Sequence, residues 1–542
     1  MRATKYKNVG VILLLVLAFF LFKSHIFFIP LHWDEICYAG VPYQLAQPPL
    51  YPTKFFDNTF MRLSCQLPLH HLLLAFMYSV FGFSIMLTHL YAIIWPTVSL
   101  YYTYRLGAHF GGVRTGVLAL MFLFSSPLFF AQSGLASRDG LLTAFTAMAT
   151  YFFITDNASC YLIASCALVL TKESGLAYVV PIAVYQALRT ALGKRPGNIG
   201  PLAFIPILVY ALWVCACKLF TGKFFEYVST VRFQELNILD LEIIKATFLG
   251  FFIRQYSVLL SLLIAAYFLS FWRNRGKHAQ GEVEVLFITL AGILCLSLSI
   301  PWLLPRYLLF LKPLFSTLGA VSVMRLFRHE SSQIIVSLAI ILLFISSWYS
   351  KDGTAADYLF GENDRYYDTM TREIGKAITE KNMEYLDLVN AYWAVTAYIS
   401  SEHPDATIVT SRGFPLRHYL SYPQMGYVKR PYTTLSLDDG RRMLENGCVY
   451  NLRMKGEFYL NDTYINGVWT NPLYEREDTV CLEGRDVLFV DDEFSGNRWT
   501  DDEFEKVVAG NYTHGRLVLL TELISGRIHI TVYKVLNNED IS

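Results

Sequence analysis

Long apolar runs recur from Val9 to about Tyr349, broken by short polar stretches, and then stop. A helix needs about 20 mostly apolar residues to cross the hydrocarbon core of a bilayer. On that measure the runs predict spans at roughly 9–30, 85–106, 113–133, 140–155, 159–171, 174–192, 200–221, 248–272, 283–304, 306–325 and 333–350, about eleven in all. The fourth and fifth are short, with only Thr155-Asp156-Asn157 between them. Two spans is the simpler reading of that stretch, and a re-entrant pair is the alternative.

After Lys351 the chain becomes a globular mixture. Residues 385–402 read as an amphipathic helix, and Ala406 to Thr410 and Asp486 to Val490 read as strands. Leu437 to Glu445 reads as a helix capped by Ser436. Arg516 to Glu522 and Arg527 to Lys534 read as strands turned at Ser525-Gly526. The expected fold is a multi-spanning α-helical membrane protein of about 11 transmembrane helices with a C-terminal soluble α/β domain. The transmembrane domain is placed at 1–350, with a first outer loop at 31–84, and the outer domain at 351–542. That outer domain carries no phosphate loop or triad motif; acceptor recognition or covering the cavity would suit it, and so would a stabilising appendage.

Composition supports the membrane class. Charged residues make up 16% of the chain and hydrophobic ones 54%, with a mean hydropathy of +0.37, whereas a soluble domain carries about 25% charged residues. The net charge of +1 gives no electrostatic reason for a nucleic-acid partner. Lys and Arg concentrate in alternate loops. Arg2, Lys5 and Lys7 precede the first span, Arg105 and Arg114 flank the next such loop, and Arg189, Lys194 and Arg195 follow the sixth span. Arg273, Arg275 and Lys277 follow the eighth, and Arg325 and Arg328 the tenth. The positive-inside rule then sets these loops and the N-terminus in the cytoplasm, and the C-terminal domain outside. The first span is too long for a cleaved signal and lacks a small-x-small site, so it reads as a retained anchor.

Cysteines and sequons fit that layout. Cys37 and Cys65 fall in the first outer loop and Cys448 and Cys481 in the outer domain, an even pair in each, as an oxidising compartment allows. Free thiols are the equal alternative. Asn461-Asp-Thr and Asn511-Tyr-Thr are outer sequons open to N-glycosylation, while Asn157-Ala-Ser falls on the cytoplasmic side. These features favour the endoplasmic reticulum membrane; the plasma membrane of a prokaryote satisfies the same topology.

Ionisable groups near a membrane core are costly and point to function. Several lie at span ends on the outer side: Asp34-Glu35 after the first span, Arg138-Asp139 before the fourth, Lys172-Glu173 between the fifth and sixth, and Arg306 at the start of the tenth. Singly, each also fits a solvated acid or a snorkelling cation. Together they describe a cavity for an anionic group beside a general base. Sugar transfer from a lipid phosphate needs that set. Lys172 and Arg306 would hold the departing phosphate. Asp34 would take the proton of the acceptor hydroxyl, and in-line displacement would invert the anomeric centre.

The order of these segments resembles the integral-membrane glycosyltransferases of the C-type fold (GT-C). The branch resembled is that of the protein O-mannosyltransferases and the lipid A aminoarabinose transferase. The resemblance runs over Leu31-His-Trp-Asp-Glu-Ile-Cys-Tyr-Ala-Gly, then Gln66-Leu-Pro-Leu-His-His to Phe81-Gly82, Tyr101 to Gly107, and Phe110-Gly-Gly. It continues through Pro127 to Thr143, Leu170-Thr-Lys-Glu-Ser-Gly-Leu, and Pro305-Arg-Tyr-Leu-Leu-Phe-Leu-Lys-Pro313. It implies a dolichyl- or polyprenyl-phosphate sugar donor, with mannose as the sugar of the branch, and a lumenal or periplasmic active site. Asp34 is similar to the catalytic acid of the first loop and Glu35 to its neighbour. Asp139 resembles a second acidic position, and Lys172 and Arg306 resemble phosphate contacts. The Glu-Lys-Pro-Pro of the lipid A branch is replaced here by Gln47-Pro-Pro and Cys65-Gln-Leu-Pro, which argues against aminoarabinose transfer itself and leaves the acceptor open among protein, glycan and lipid.

His70-His71 is a poor metal pair, because adjacent helical residues point about 100° apart. No cofactor is implied, and whether Asp34 and Glu35 hold a divalent metal stays open. The runs Asp491-Asp-Glu and Asp501-Asp-Glu read as solvated loops, with Ca²⁺ binding the minor alternative. A transporter or flippase of lipid-linked substrates is the alternative function. Such proteins usually carry internal repeats, which the apolar segments do not show.

Overall fold

The structure, a computed structural model, describes residues 17–31, 35–48, 54–57, 67–193, 197–222, 244, 247–248, 251–253, 256–273, 280–299, 305–348, 385–410, 419–420, 427–432, 434–436, 448–454, 463–465, 468–470, 474–481, 487–494, 516–525 and 528–536. The chain forms two compact units, one chiefly Met1–Phe27 with Tyr38–Tyr367, the other chiefly Phe28–Cys37 with Glu384–Ser542.

The first unit is helical: α1 (Leu17–Phe28), α2 (Glu35–Ala46), α3 (Lys54–Asp57), α4 (Leu69–Phe81), α5 (Ile85–Ser125), α6 (Pro127–Gln132), α7 (Arg138–Ile154) and α8 (Ala158–Val169). After these come α9 (Leu176–Ala191), α10 (Ile205–Thr221), α11 (Ser257–Arg273), α12 (Gln280–Ser299), α13 (Lys312–Leu326) and α14 (Glu330–Ser346). Among the described residues four helices are long and apolar enough to cross a membrane: α5, α10 and α13 (the last two counted with their leading 3₁₀ turns), and α12. Helices α1, α4, α8, α11 and α14 are apolar but shorter.

Polar caps mark several helix starts. The Ser84 hydroxyl accepts from the Leu87 N–H at 3.0 Å, the Ser137 hydroxyl from Asp139 at 3.3 Å, and the Asn157 carbonyl from Cys160 at 3.2 Å. The expected spans at 85–106 and 113–133 have no loop between them. Helix α5 runs through both and reverses at Gly112, whose φ of 79° suits a residue without a Cβ. The two arms touch at glycines. A Cβ on Gly107 would lie 2.9 Å from the Ala119 Cβ, and one on Gly116 would lie 2.7 Å from the Tyr104 carbonyl oxygen. Small residues allow such close backbone approach where no hydrophobic effect drives helices together. The tenth expected span, 306–325, also differs from expectation: it begins as a 3₁₀ turn over Pro305–Leu311 before α13. Helix α13 is buried from Lys312 to Val323 and packs along α5 and α11.

In the second unit, α15 (Tyr385–Glu402) buries Val389, Tyr392, Val395, Thr396 and Ile399 at helical spacing and packs on β8 and β9. Strands β1 (Thr407–Thr410), β2 (Thr434–Ser436), β7 (Val487–Phe494), β8 (Arg516–Ser525) and β9 (Ile528–Leu536) form one sheet in the order β2-β1-β7-β9-β8. Strand β1 pairs in parallel with β2 and β7, and β9 is antiparallel to both β7 and β8. Strands β3 (Cys448–Met454) and β6 (Tyr474–Cys481) form a separate antiparallel pair, and β4 (Thr463–Ile465) and β5 (Val468–Thr470) a hairpin. Asp491, Asp492 and Glu493, read above as a solvated loop, instead extend β7, opposite Thr531, Ile530 and His529. The expected helix at 437–445 and the acidic run at 501–503 lie outside the described residues.

Candidate active site

The alternation of the helices brings distant charges to one end of the first unit. Arg138 and Asp139 open α7, and Lys172 follows α8 as the residue before a short 3₁₀ turn at Glu173–Gly175. Because α7 and α8 are two antiparallel helices, Lys172 returns to the end from which α7 began. Its Nζ lies 2.6 Å from Oδ1 of Asp139. The 3₁₀ turn before α13 brings in Arg306, whose Nε is 3.9 Å from Oδ2 of Asp139. Arg138 stands 3.9 Å from Glu173.

This cluster is buried. The side chains of Lys172 and Asp139 are 9% and 2% exposed. Burial lowers the Lys172 ammonium from its ordinary value, and the Asp139 carboxylate opposes that shift. The Tyr307 ring lies 4.2 Å from the ammonium and supports it through its π face. Three cations (Arg138, Lys172, Arg306) face two carboxylates (Asp139, Glu173). Among the described residues, Nε and Nη1 of Arg138 and Oδ2 of Asp139 have no hydrogen-bond partner. Buried groups of that kind are costly unless a ligand satisfies them.

The opposite end of the same bundle carries three further ion pairs. Arg114 pairs with Glu330 at 3.0 Å, Arg189 with Glu284 at 3.7 Å, and Arg325 with Glu282 at 3.7 Å. These are three of the basic loops that the positive-inside rule grouped together.

Of the other residues named from the sequence, Asp34, Cys65, Asn461 and Asn511 lie outside the described residues. Glu35 is the first residue of α2, is buried, and belongs to the C-terminal unit. Cys37 lies in α2. Cys448 and Cys481 are direct Cα partners across β3 and β6. His70 and His71 are both buried, and among the described residues no group of three or more His, Cys, Asp or Glu could hold a metal. Three aromatic neighbours escaped the sequence reading: Tyr307 beside Lys172, and Tyr38 and Tyr91, which contact Arg138 and His70 respectively. Tyr38 lies one helical turn beyond the acidic pair, and that spacing was the signal for it.

The described helices form a helical membrane protein, and likeness to solved structures gives its fold as that of the C-type glycosyltransferases. Two crystal structures share it. ArnT, a lipid A aminoarabinose transferase, from Cupriavidus metallidurans bound to undecaprenyl phosphate aligns over 97% of this chain and 97% of its own, with a TM-score of 0.53 and 12% identity. The same protein in the apo state aligns over 98% of each chain, with a TM-score of 0.54 and 12% identity. No protein-family model and no curated protein matches the sequence.

Proposed function

We propose that this protein transfers a sugar from a polyprenyl- or dolichyl-phosphate donor to an acceptor on the outer side of the membrane. The observation that carries this reading is the buried Asp139–Lys172–Arg306 cluster, in a fold shared with an ArnT structure that holds undecaprenyl phosphate. The phosphate oxygens would take the free donors of Arg138 and share the charges of Lys172 and Arg306, stabilising the leaving group. Asp139 holds Lys172 in place, so its role is to orient that ammonium.

Asp34, with Glu35 beside it in sequence, is the proposed base for the acceptor hydroxyl, and the reaction inverts the anomeric centre. Mannose is the proposed sugar, from the branch that the sequence resembles. About eleven spans with the C-terminal unit outside complete the reading, and an endoplasmic reticulum membrane is the proposed home.

The test is transfer of labelled sugar from a polyprenyl-phosphate donor by the purified full-length protein, with Asp34→Asn alongside. Transfer by the wild type, loss in the variant and an inverted product are expected. Full turnover in the variant would remove Asp34 from the mechanism, and a retained anomer would exclude direct displacement. Donor binding without transfer would favour a carrier of lipid-linked substrates.

A further inference from the structure

Two helices bring phenols around one arginine at the end of the bundle away from Asp139. Tyr101 and Arg105 lie four residues apart on α5 and so share a face. Tyr151 stands in the last turn of α7, which packs along α5. Along α7, Tyr151 and Asp139 are about 18 Å apart at the helical rise. Nη1 of Arg105 donates to the Tyr101 hydroxyl at 2.7 Å, and Nη2 donates to the Tyr151 hydroxyl. The guanidinium carbon lies 4.8 Å from the centre of the Tyr151 ring and 5.7 Å from that of Tyr101. Tyr102 flanks both phenols, with its ring 5.2 Å from Tyr101 and 5.8 Å from Tyr151.

This arrangement is rich in donors and short of acceptors. A guanidinium carries five N–H groups, and a phenol that accepts from it still has its own O–H to donate. Among the described residues neither hydroxyl has an acceptor, and Arg105 has no carboxylate partner. At the same end Arg114, Arg189 and Arg325 each face a glutamate. An aromatic belt at a membrane interface accounts for tyrosines near water. It does not account for two of them turned onto one cation. The three side chains are partly exposed, so a ligand can reach them. Helix α5 is apolar and long enough to cross a bilayer, so that ligand comes from the lipid. A phosphate diester offers both the missing negative charge and several acceptor oxygens.

We propose that Arg105, Tyr101 and Tyr151 form a binding site for the phosphate of an anionic glycerophospholipid, in the leaflet at the Gly112 end of the bundle. The guanidinium supplies the charge, and the two hydroxyls donate to the phosphate oxygens. Under the positive-inside expectation that leaflet is the cytoplasmic one, where anionic lipids concentrate and basic pockets between helices take phosphorylated headgroups. The site stands apart from the glycosyltransferase reading, and no sugar donor enters its test.

The experiment is native mass spectrometry of the full-length protein in detergent, with phosphatidylglycerol, phosphatidylcholine and inorganic phosphate as probes. Wild type should hold phosphatidylglycerol more tightly than phosphatidylcholine. Arg105→Gln should lose about fivefold in affinity for phosphatidylglycerol, with phosphatidylcholine little changed. Tyr101→Phe combined with Tyr151→Phe keeps the charge and the rings but removes both O–H donors, and it should lose about threefold. Arg114→Ala, at an exposed and paired arginine of the same end, should change the affinity less than about twofold. Equal phosphatidylglycerol binding by wild type and Arg105→Gln would overturn the proposal. An equal loss in Arg114→Ala would do so too, because the effect would then be a general surface field. Displacement of the lipid by inorganic phosphate would overturn the lipid assignment and make free phosphate the ligand. The double phenylalanine variant decides the matter even if Arg105→Gln does not fold, since unchanged binding there would exclude the built site.

Discussion

The two ends of the helical unit use the same residue types for different purposes. At one end, Arg114 and Glu330 form a pair whose side chains are 70% and 63% exposed. At the other, Lys172 and Asp139 pair with almost no solvent access. An exposed pair is worth about 0–1 kcal/mol. Burying two charges costs more than their attraction readily returns, so a buried pair is weak evidence for stability and better evidence for a task. The end with Arg114 carries basic loops that the positive-inside rule groups together, and there Glu282 is buried while Arg325 is exposed. The end with Asp139 carries a charge set in which atoms of Arg138 and Asp139 lack hydrogen-bond partners among the described residues. Burial, more than charge, separates these two pairs.

The largest expected effect is at Lys172. Lys172→Met leaves Asp139 buried without its closest cation, a loss of about 3–5 kcal/mol, and transfer should fall on the order of 10³-fold. Thermal unfolding and turnover check the two halves. Adding Asp139→Asn should return most of the stability and none of the activity, and a double variant with restored turnover would make the pair structural. Next is Cys448→Ser. The Cα register opposes Cys448 and Cys481, within the reach of a disulfide, and loss of such a bridge costs about 3–4 kcal/mol in a loop of this length. An unchanged non-reducing mass map between the variant and wild type would place these cysteines as free thiols and weaken the assignment of that domain to an oxidising side. Arg306→Gln should lower transfer about 10–100-fold, chiefly through weaker donor binding, which a donor titration reads. The smallest effect is expected for Arg114→Ala, within about 0.5 kcal/mol of wild type and with full turnover. A large loss there would break the contrast between the ends.

Much of the helical unit was legible because membrane spans are written as continuous apolar runs. Hydropathy does not show how two runs are joined. The Gly112 reversal replaced an expected loop with a turn inside one helix, and only a glycine permitted it. The short pair at 140–171 folds as two helices, α7 and α8, and the meeting of Asp139 with Lys172 suits two spans and a re-entrant pair alike. Strands β3 and β6 escaped because Tyr474-Glu-Arg-Glu-Asp-Thr-Val-Cys481 is too polar for a clear alternating pattern. The acidic run at 491–493 was misread because charge outweighed its neighbours, while pairing with β9 decides its conformation. In the site, the ionisable residues were visible as outliers in apolar surroundings. Tyr38 and Tyr307 were not, because what they touch depends on how distant helices meet.

The Gly112 turn also bears on how the protein is made. Its two arms have no connecting segment for the insertion machinery to hold on one side while the second arm emerges. Under the expected topology residues 85–125 would partition into lipid as one hairpin, with Arg105 and Arg114 flanking its closed end. Helix α7, which carries Arg138 and Asp139, packs against that hairpin.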